Sequence, residues 1–403
     1  MSGRDKLLRL TCRGGILSLG LFMAGLPCTE NTNRAAELPL AATVNLGKVY
    51  GVAINGNFAY AALPAEGKIV VMDIAKPDAP QIVGECLTGP APFHIVITGT
   101  TAYVAARHGG VFVVDIENPR SPRLVSNYDS VEWATGVAVC GNILYVCCRS
   151  HGLELVDISN PHRLQHLGTA RIGEAQHVAV KENYAYVGLI GSRQIGVVDC
   201  SNPRNPKVVT RIDVDGHAYG VDLKEDLLFV ATGHHSGSGE HGRGHGLEIL
   251  SVADRENPTR IGGIKTPPFY LNSPDRWTVK VSGDYAFLAD GINGVFAVDV
   301  KDPLNPRLLG QGKVPDYAFD LALGENHVYV GGVNGGFHVF KAEGMPSTSI
   351  SLQDKAMVVP PPDTKPNAVD GFRVFAPGAK ICDAAIIDDR AFVAAGADGI
   401  YFL

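Results

Sequence analysis

An all-β fold built from radially repeated four-stranded units is predicted by three observations. Aspartates at 73, 115, 157 and 199 close short apolar runs at three successive intervals of 42 residues, the length of a four-stranded blade. Proline turns lie behind such runs, as in Lys76-Pro77-Asp78-Ala79-Pro80, Asn118-Pro119-Arg120-Ser121-Pro122, Asn202-Pro203-Arg204-Asn205-Pro206 and Asp302-Pro303-Leu304-Asn305-Pro306. There proline presets φ and an Asx side chain caps the turn. Ahead of the aspartates, tight turns such as Asn55-Gly56-Asn57 join alternating apolar segments, the strongest short-range hairpin cue. Composition agrees: 403 residues with 45% hydrophobic, 19% charged, 47 Gly and 25 Pro make a folded, turn-rich chain rather than a disordered one.

Each unit reads as strands a, b, c and d. First strands fall at Val52, Ile95, Val137, Val178, Val221, Val279, Leu321 and Ala384, eight units in all. The eighth stops after strand c at 399–403, while 40–46 offers a d-like stretch with no unit of its own. These complementary absences predict a single eight-bladed β-propeller over 40–403, closed by the N-terminal strand completing the last blade. Closure removes the exposed sheet edges that an open repeat would leave. Seven blades is the alternative, if 341–380 interrupts the count. That proline-dense stretch reads as an extended excursion, with Ile350-Ser351-Leu352 or Phe372-Arg373-Val374 as candidate fourth strands of unit seven. A second insert covers 233–246.

The strand-c signature, seen as Leu155-Val156-Asp157 and its relatives Val113-Val114-Asp115 and Val197-Val198-Asp199, resembles the LVIVD-repeat β-propellers. The resemblance spans about nine tenths of the chain, and it implies an exported bacterial propeller and little chemistry. Units five, seven and eight depart from it, with Leu250-Ser251, Phe340-Lys341 and Phe402-Leu403 where the aspartate should fall. The aspartate therefore reads as structural punctuation.

The first residues are set apart as an export signal over 1–28, followed by a linker, 29–39. Arg4, Lys6, Arg9 and Arg13 precede an apolar run, 16–27, with the charge and length of a signal and too short for a bilayer span of about 20 residues. Removing it takes the formal charge from −6 to −9. So acidic a body offers no field for phosphate backbones, and nucleic acid is excluded as a partner. Cys28 is the candidate acylation site, and only lipid there would tie the chain to a membrane. Cys147 and Cys148 are adjacent in a predicted strand and read as small core residues. No zinc spacing and no disulfide pairing can be read from the cysteines.

Function is expected on the face carrying the d-to-a and b-to-c connections, which vary while the opposite turns are uniform. The column at the start of strand a reads Gly51, His94, Gly136, His177, Gly220, Thr278, Asp320 and Asp383. In an eightfold ring His177 would face Asp383. Two positions deeper, Asp222 and Lys280 read as a mutually neutralising pair. The candidate catalytic residues are His94 and His177 as acid and base, with Arg107 and Arg149 holding a carboxylate. Candidate ligand contacts are Asp320, Asp383, Trp277, Tyr219 and Asp290. His234, His235, His241 and His245 form a candidate site for a divalent metal, because imidazoles on flexible Gly/Ser spacers can converge on one ion.

No nucleophile elbow, phosphate loop, His-Glu-x-x-His pair or dinucleotide fingerprint occurs. The favoured reading is a binding scaffold for a small-molecule, glycan or protein ligand at the channel mouth. The second reading is a lyase or hydrolase acting on an anionic or carbohydrate substrate through the axial histidines and arginines.

Overall fold

The computed structural model describes residues 36–233, 246–266, 277–315 and 317–342, together with the strand backbones 383–387, 390–394 and 400–402. The innermost strands of successive sheets are Gly51–Asn55, His94–Thr98, Ala134–Cys140, Ala175–Lys181, His217–Lys224, Trp277–Ser282 and Ala318–Leu323. Each packs against the next, and Ala318–Leu323 packs back against Gly51–Asn55. The fold is a closed seven-bladed β-propeller.

The expectation of eight blades is therefore corrected in favour of seven, and the reason is where the N-terminal strand goes. Leu40–Val44 pairs antiparallel with Gly336–Lys341, from Leu40 opposite Phe340 to Val44 opposite Phe337, and so completes the seventh blade. With that position filled, neither 350–352 nor 372–374, which lie outside the described residues, is required as a fourth strand. The eighth unit forms a separate three-stranded sheet of Asp383–Ile387, Arg390–Ala394 and Ile400–Phe402. Just upstream of the closing strand, Ala36–Glu37 runs parallel to Gly310 and Gln311 on the rim of blade six, and the Leu38 N–H donates to Gln311 O at 3.1 Å. The N-terminal segment thus latches two blades.

One residue pattern explains why neighbouring blades fit. Strand b carries a buried aromatic in every blade: Tyr60, Tyr103, Tyr145, Tyr186, Phe229, Phe287 and Tyr329. Each pairs with the strand-a position two residues beyond the start column, which is Ala53, Ala138, Ala179 or Ala322 in four blades. A small residue beside a ring leaves room for the adjacent blade. Burying one such side chain contributes about 1.5–3 kcal/mol.

The repeated aspartates also find their physical role. Asp73, Asp115, Asp157 and Asp199 each end strand c, and each accepts the backbone N–H two residues on, from Ala75, Glu117, Ser159 and Ser201, at 2.8–3.0 Å. They set the Asx turns that open the c-to-d connections. Cys147 and Cys148 are fully buried in the core, as their strand position implies. Cys86, Cys140, Cys147, Cys148 and Cys200 are free thiols. Among the described residues, no helix is long and apolar enough to cross a membrane.

Candidate functional site

The start of each inner strand faces the axis on the side of the d-to-a connections, and there the channel is plugged. Tyr50 stacks on Phe319 with ring centroids 4.3 Å apart and planes 7° from parallel. Phe93 stands edge-on to both, at 5.7 and 5.4 Å, and Tyr219 lines the same constriction. The space left among these rings is about 10 Å³, room for no more than one water. Glycine in the column below them is a steric requirement. A Cβ on Gly51 would lie 2.6 Å from the Phe93 carbonyl, and one on Gly136 would lie 2.5 Å from the Gln176 carbonyl.

Beneath the rings, His94, His177, Asp320 and Thr278 form a polar layer. The structure gathers these four, although they come from four blades. His94 and His177 lie edge to face at 4.8 Å. His94 Nδ1 accepts the backbone N–H of Val137 at 3.3 Å, so its ring proton sits on Nε2. Asp320 Oδ2 accepts the N–H of Val52 at 2.9 Å, and its Oδ1 accepts the N–H of Leu321 at 2.9 Å. Thr278 Oγ1 donates to Phe319 O at 3.4 Å. An innermost strand is a sheet edge with unpaired backbone groups, and these side chains satisfy some of them across the joints between blades.

Burial sets the charge state of the layer. It drives the His94 imidazole well below its usual range, with His177 and Lys280 adding repulsion. Burial likewise lowers His177 to about 3, and Lys280 contributes again. Both rings are neutral at pH 7. Desolvation raises the Asp320 carboxyl, opposed by its backbone hydrogen bonds and by Lys280.

Below the layer the axis widens into a channel of about 560 Å³. Most of the lining side chains are small and apolar, such as Ala53, Val96, Ala138, Ala179 and Ala322, with Asp222 and Lys280 among them, but polar atoms make up more than half of the exposed wall. It runs down the inner strands to Ile54, Ile97, Val180 and Ser282, beside the a-to-b turns. The channel is therefore blind at the rings and opens towards the opposite face from the one expected to bind. The expected Asp222–Lys280 pair is not formed: Asp222 Oδ2 instead accepts the Val281 N–H at 2.8 Å.

On the plugged side, the rim between blades two and four carries Arg107 and Arg149. Arg107 adopts φ 47°, and its backbone is bridged to Ala134 of blade three by hydrogen bonds of 2.9 and 3.0 Å. Its guanidinium lies 4.5 Å from the Phe93 ring centre and 5.8 Å from that of Trp133. The Arg149 guanidinium lies 5.4 Å from the Trp133 ring centre and pairs with Glu174 at 2.9 Å. Trp133, within reach of both cations, remains 39% exposed, and Val131 is 54% exposed. Cation–π contacts at solvent-exposed positions of this kind contribute about 0.5–1 kcal/mol.

The other predicted site residues are placed differently. Asp290 is fully buried in a b-to-c turn, where Asn293 Nδ2 donates to its Oδ1 at 3.2 Å, and it does not line the channel. Trp277 begins an inner strand, its backbone opposite Asp290. Asp383 lies in the separate sheet opposite Ala394. A sevenfold ring has no eighth inner strand, so the pairing of His177 with Asp383 is corrected. His234, His235, His241 and His245 lie outside the described residues. Tyr50, Phe93 and Phe319 were not singled out from the sequence. The signal was available: they stand one residue before Gly51, His94 and Asp320.

The seven blades, the aspartate turns and the closing strand define a repeat propeller with a plugged axis. The LVIVD repeat model matches residues 46–88, 93–130, 133–169, 172–214 and 275–313, and the chain belongs to that repeat family. Among solved structures, the chain is similar to the computationally designed Ika8 protein, at 13% identity and TM-score 0.52 over 76% of this chain and 99% of that one. BamB from Moraxella catarrhalis matches at 12% identity and TM-score 0.48, over 74% and 85%. No curated protein matched the chain.

Proposed function

We propose that this protein is an exported binding scaffold that engages its ligand on the face of the d-to-a and b-to-c connections. The observation that carries the reading is the partly exposed Trp133 with the guanidinium groups of both Arg107 and Arg149 within 6 Å of its ring. Aromatic and arginine side chains are the groups most enriched at interface hot spots, and here two arginines pin the ring on a rigid base. The basic and apolar run at 4–27 supports export. The scaffold reading is favoured over the enzyme reading because His94 spends its acceptor nitrogen on the Val137 backbone. The layer that a catalytic reading would use is also sealed from this face by aromatic rings.

The test is a screen of oligosaccharides and short peptides against the purified chain, read by tryptophan fluorescence. A saturable change that is lost in Trp133→Ala and weakened at least tenfold in Arg107→Ala, with the fold intact by circular dichroism, supports the reading. Turnover of any screened compound that collapses in His177→Ala overturns it in favour of the enzyme.

A further inference from the structure

The channel has three polar groups that the blade joints do not use. His94 Nδ1 is engaged by Val137, but its Nε2–H, both ring nitrogens of His177 and the ammonium of Lys280 make no hydrogen bond or ion pair with any described residue. All three side chains line the same blind cavity of about 560 Å³, a volume in the range of small-molecule pockets. Its remaining lining is mainly alanine and valine. Polar atoms make up most of the exposed wall, and a few convergent polar groups are what fix a ligand's orientation in such a cavity.

The polarity of those groups selects the ligand. The ammonium offers only donors, and the neutral His94 ring can offer only its Nε2–H to the cavity. The carboxylates nearby are already committed: Asp222 accepts from Val281, and Asp320 accepts from Val52 and Leu321. We infer that the channel is a binding site for a small organic carboxylate, which enters from the a-to-b turn face, places its anionic group between Lys280 and the imidazoles of His94 and His177, and lays its apolar part along the alanine-lined wall. This site is independent of the Trp133 surface, since the aromatic plug of Tyr50, Phe93 and Phe319 stands between the two.

Binding is linked to protons. Lys280 disfavours charge on both imidazoles, and a carboxylate set among them reverses that bias, so the complex takes up protons in mildly acidic solution. The charged or titratable groups around the anion are His94, His177, Lys280, Asp222 and Asp320. The two aspartates oppose binding, and a dianion such as succinate should bind more weakly than a monoanion of similar size.

The test is isothermal titration calorimetry of the full chain with benzoate, hexanoate and succinate, using benzamide as the uncharged control, in two buffers of different ionisation enthalpy at pH 6.5, where the carboxylates are ionised and succinate is mainly the dianion. The expected result is 1:1 binding of a monocarboxylate, at least tenfold weaker binding of benzamide, and net proton uptake. Lys280→Met should weaken binding at least tenfold while Lys280→Arg retains most of it. Should Lys280→Met fail to fold, Ala138→Phe, which fills the cavity without touching the charged groups, should abolish binding. Equal affinity for benzoate and benzamide, binding indifferent to both substitutions, or no binding of any carboxylate overturns the inference. Trp133→Ala should leave carboxylate binding unchanged, so failure here and failure of the rim surface are separable.

Discussion

Asp320 of the seventh blade reaches across the ring's last joint and accepts the backbone N–H of Val52, on the first blade, at 2.9 Å. Two further joints use the same device, with His94 receiving Val137 and Asp222 receiving Val281. Axial side chains that look like chemistry in the sequence thus serve partly as clasps for the exposed edges of inner strands.

Replacing Asp320 by Ala should destabilise the fold by about 1–3 kcal/mol, because it leaves the N–H groups of Val52 and Leu321 buried without an acceptor. Asp320→Asn keeps one amide oxygen as acceptor and should cost less. Urea denaturation of the three proteins measures the order; an alanine variant as stable as the parent would refute the clasp.

Acid should weaken the protein through its two axial histidines. Their folded-state values lie below the unfolded value near 6.5, so between pH 6.5 and about 3 the unfolded chain holds more protons and stability falls with pH. Each histidine contributes a slope of at most about 1.4 kcal/mol per pH unit. His177→Leu should flatten the decline. The denaturation series belongs in a carboxylate-free buffer, since a monocarboxylate such as acetate is of the ligand class inferred for the channel.

Glu248 is fully buried on strand c of blade five, where it accepts the Asp215 N–H at 2.9 Å and lies 3.3 Å from Arg260. Desolvation raises its carboxyl, opposed chiefly by Arg260. Glu248→Ala should cost about 3–5 kcal/mol by leaving a buried guanidinium partly uncompensated, while a Glu248→Leu/Arg260→Met double substitution should recover much of the loss. Additive losses in the double-mutant cycle would show that the pair is not coupled.

The buried thiols should be inert. Burial raises Cys86 and lifts Cys200 to about 12, and Cys147 and Cys148 are raised further by the same cause. Ellman's reagent at pH 8 should therefore leave these four unmodified in the native protein and label them all in guanidinium. Fast native labelling mapped to Cys147 or Cys148 would contradict the packing.

Much of this architecture was legible in the repeat. The 42-residue spacing located strand c, and Asp73 to Asp199 landed at its ends because an Asx turn needs that side chain at that place. Blade number was less legible: self-similarity counts units, whereas closure depends on how many inner strands complete a circle and on which edge captures Leu40–Val44. The start column brought His94, His177 and Asp320 together as its alignment implied. Of the aromatic plug only Tyr219 was legible as a site residue, because Tyr50, Phe93 and Phe319 scatter among 403 residues and acquire meaning only when the axis brings them within stacking distance. The direction in which the cavity opens follows from that plug and has no signature of its own along the chain.

The latch formed by Leu40–Val44 has a consequence for biogenesis. That strand must wait for its partner until Gly336–Lys341 has been made nearly three hundred residues later. Contacts of such sequence separation form slowly. The circle can be sealed only after the seventh sheet has been made, so assembly finishes by recruiting a strand synthesised well before its partner.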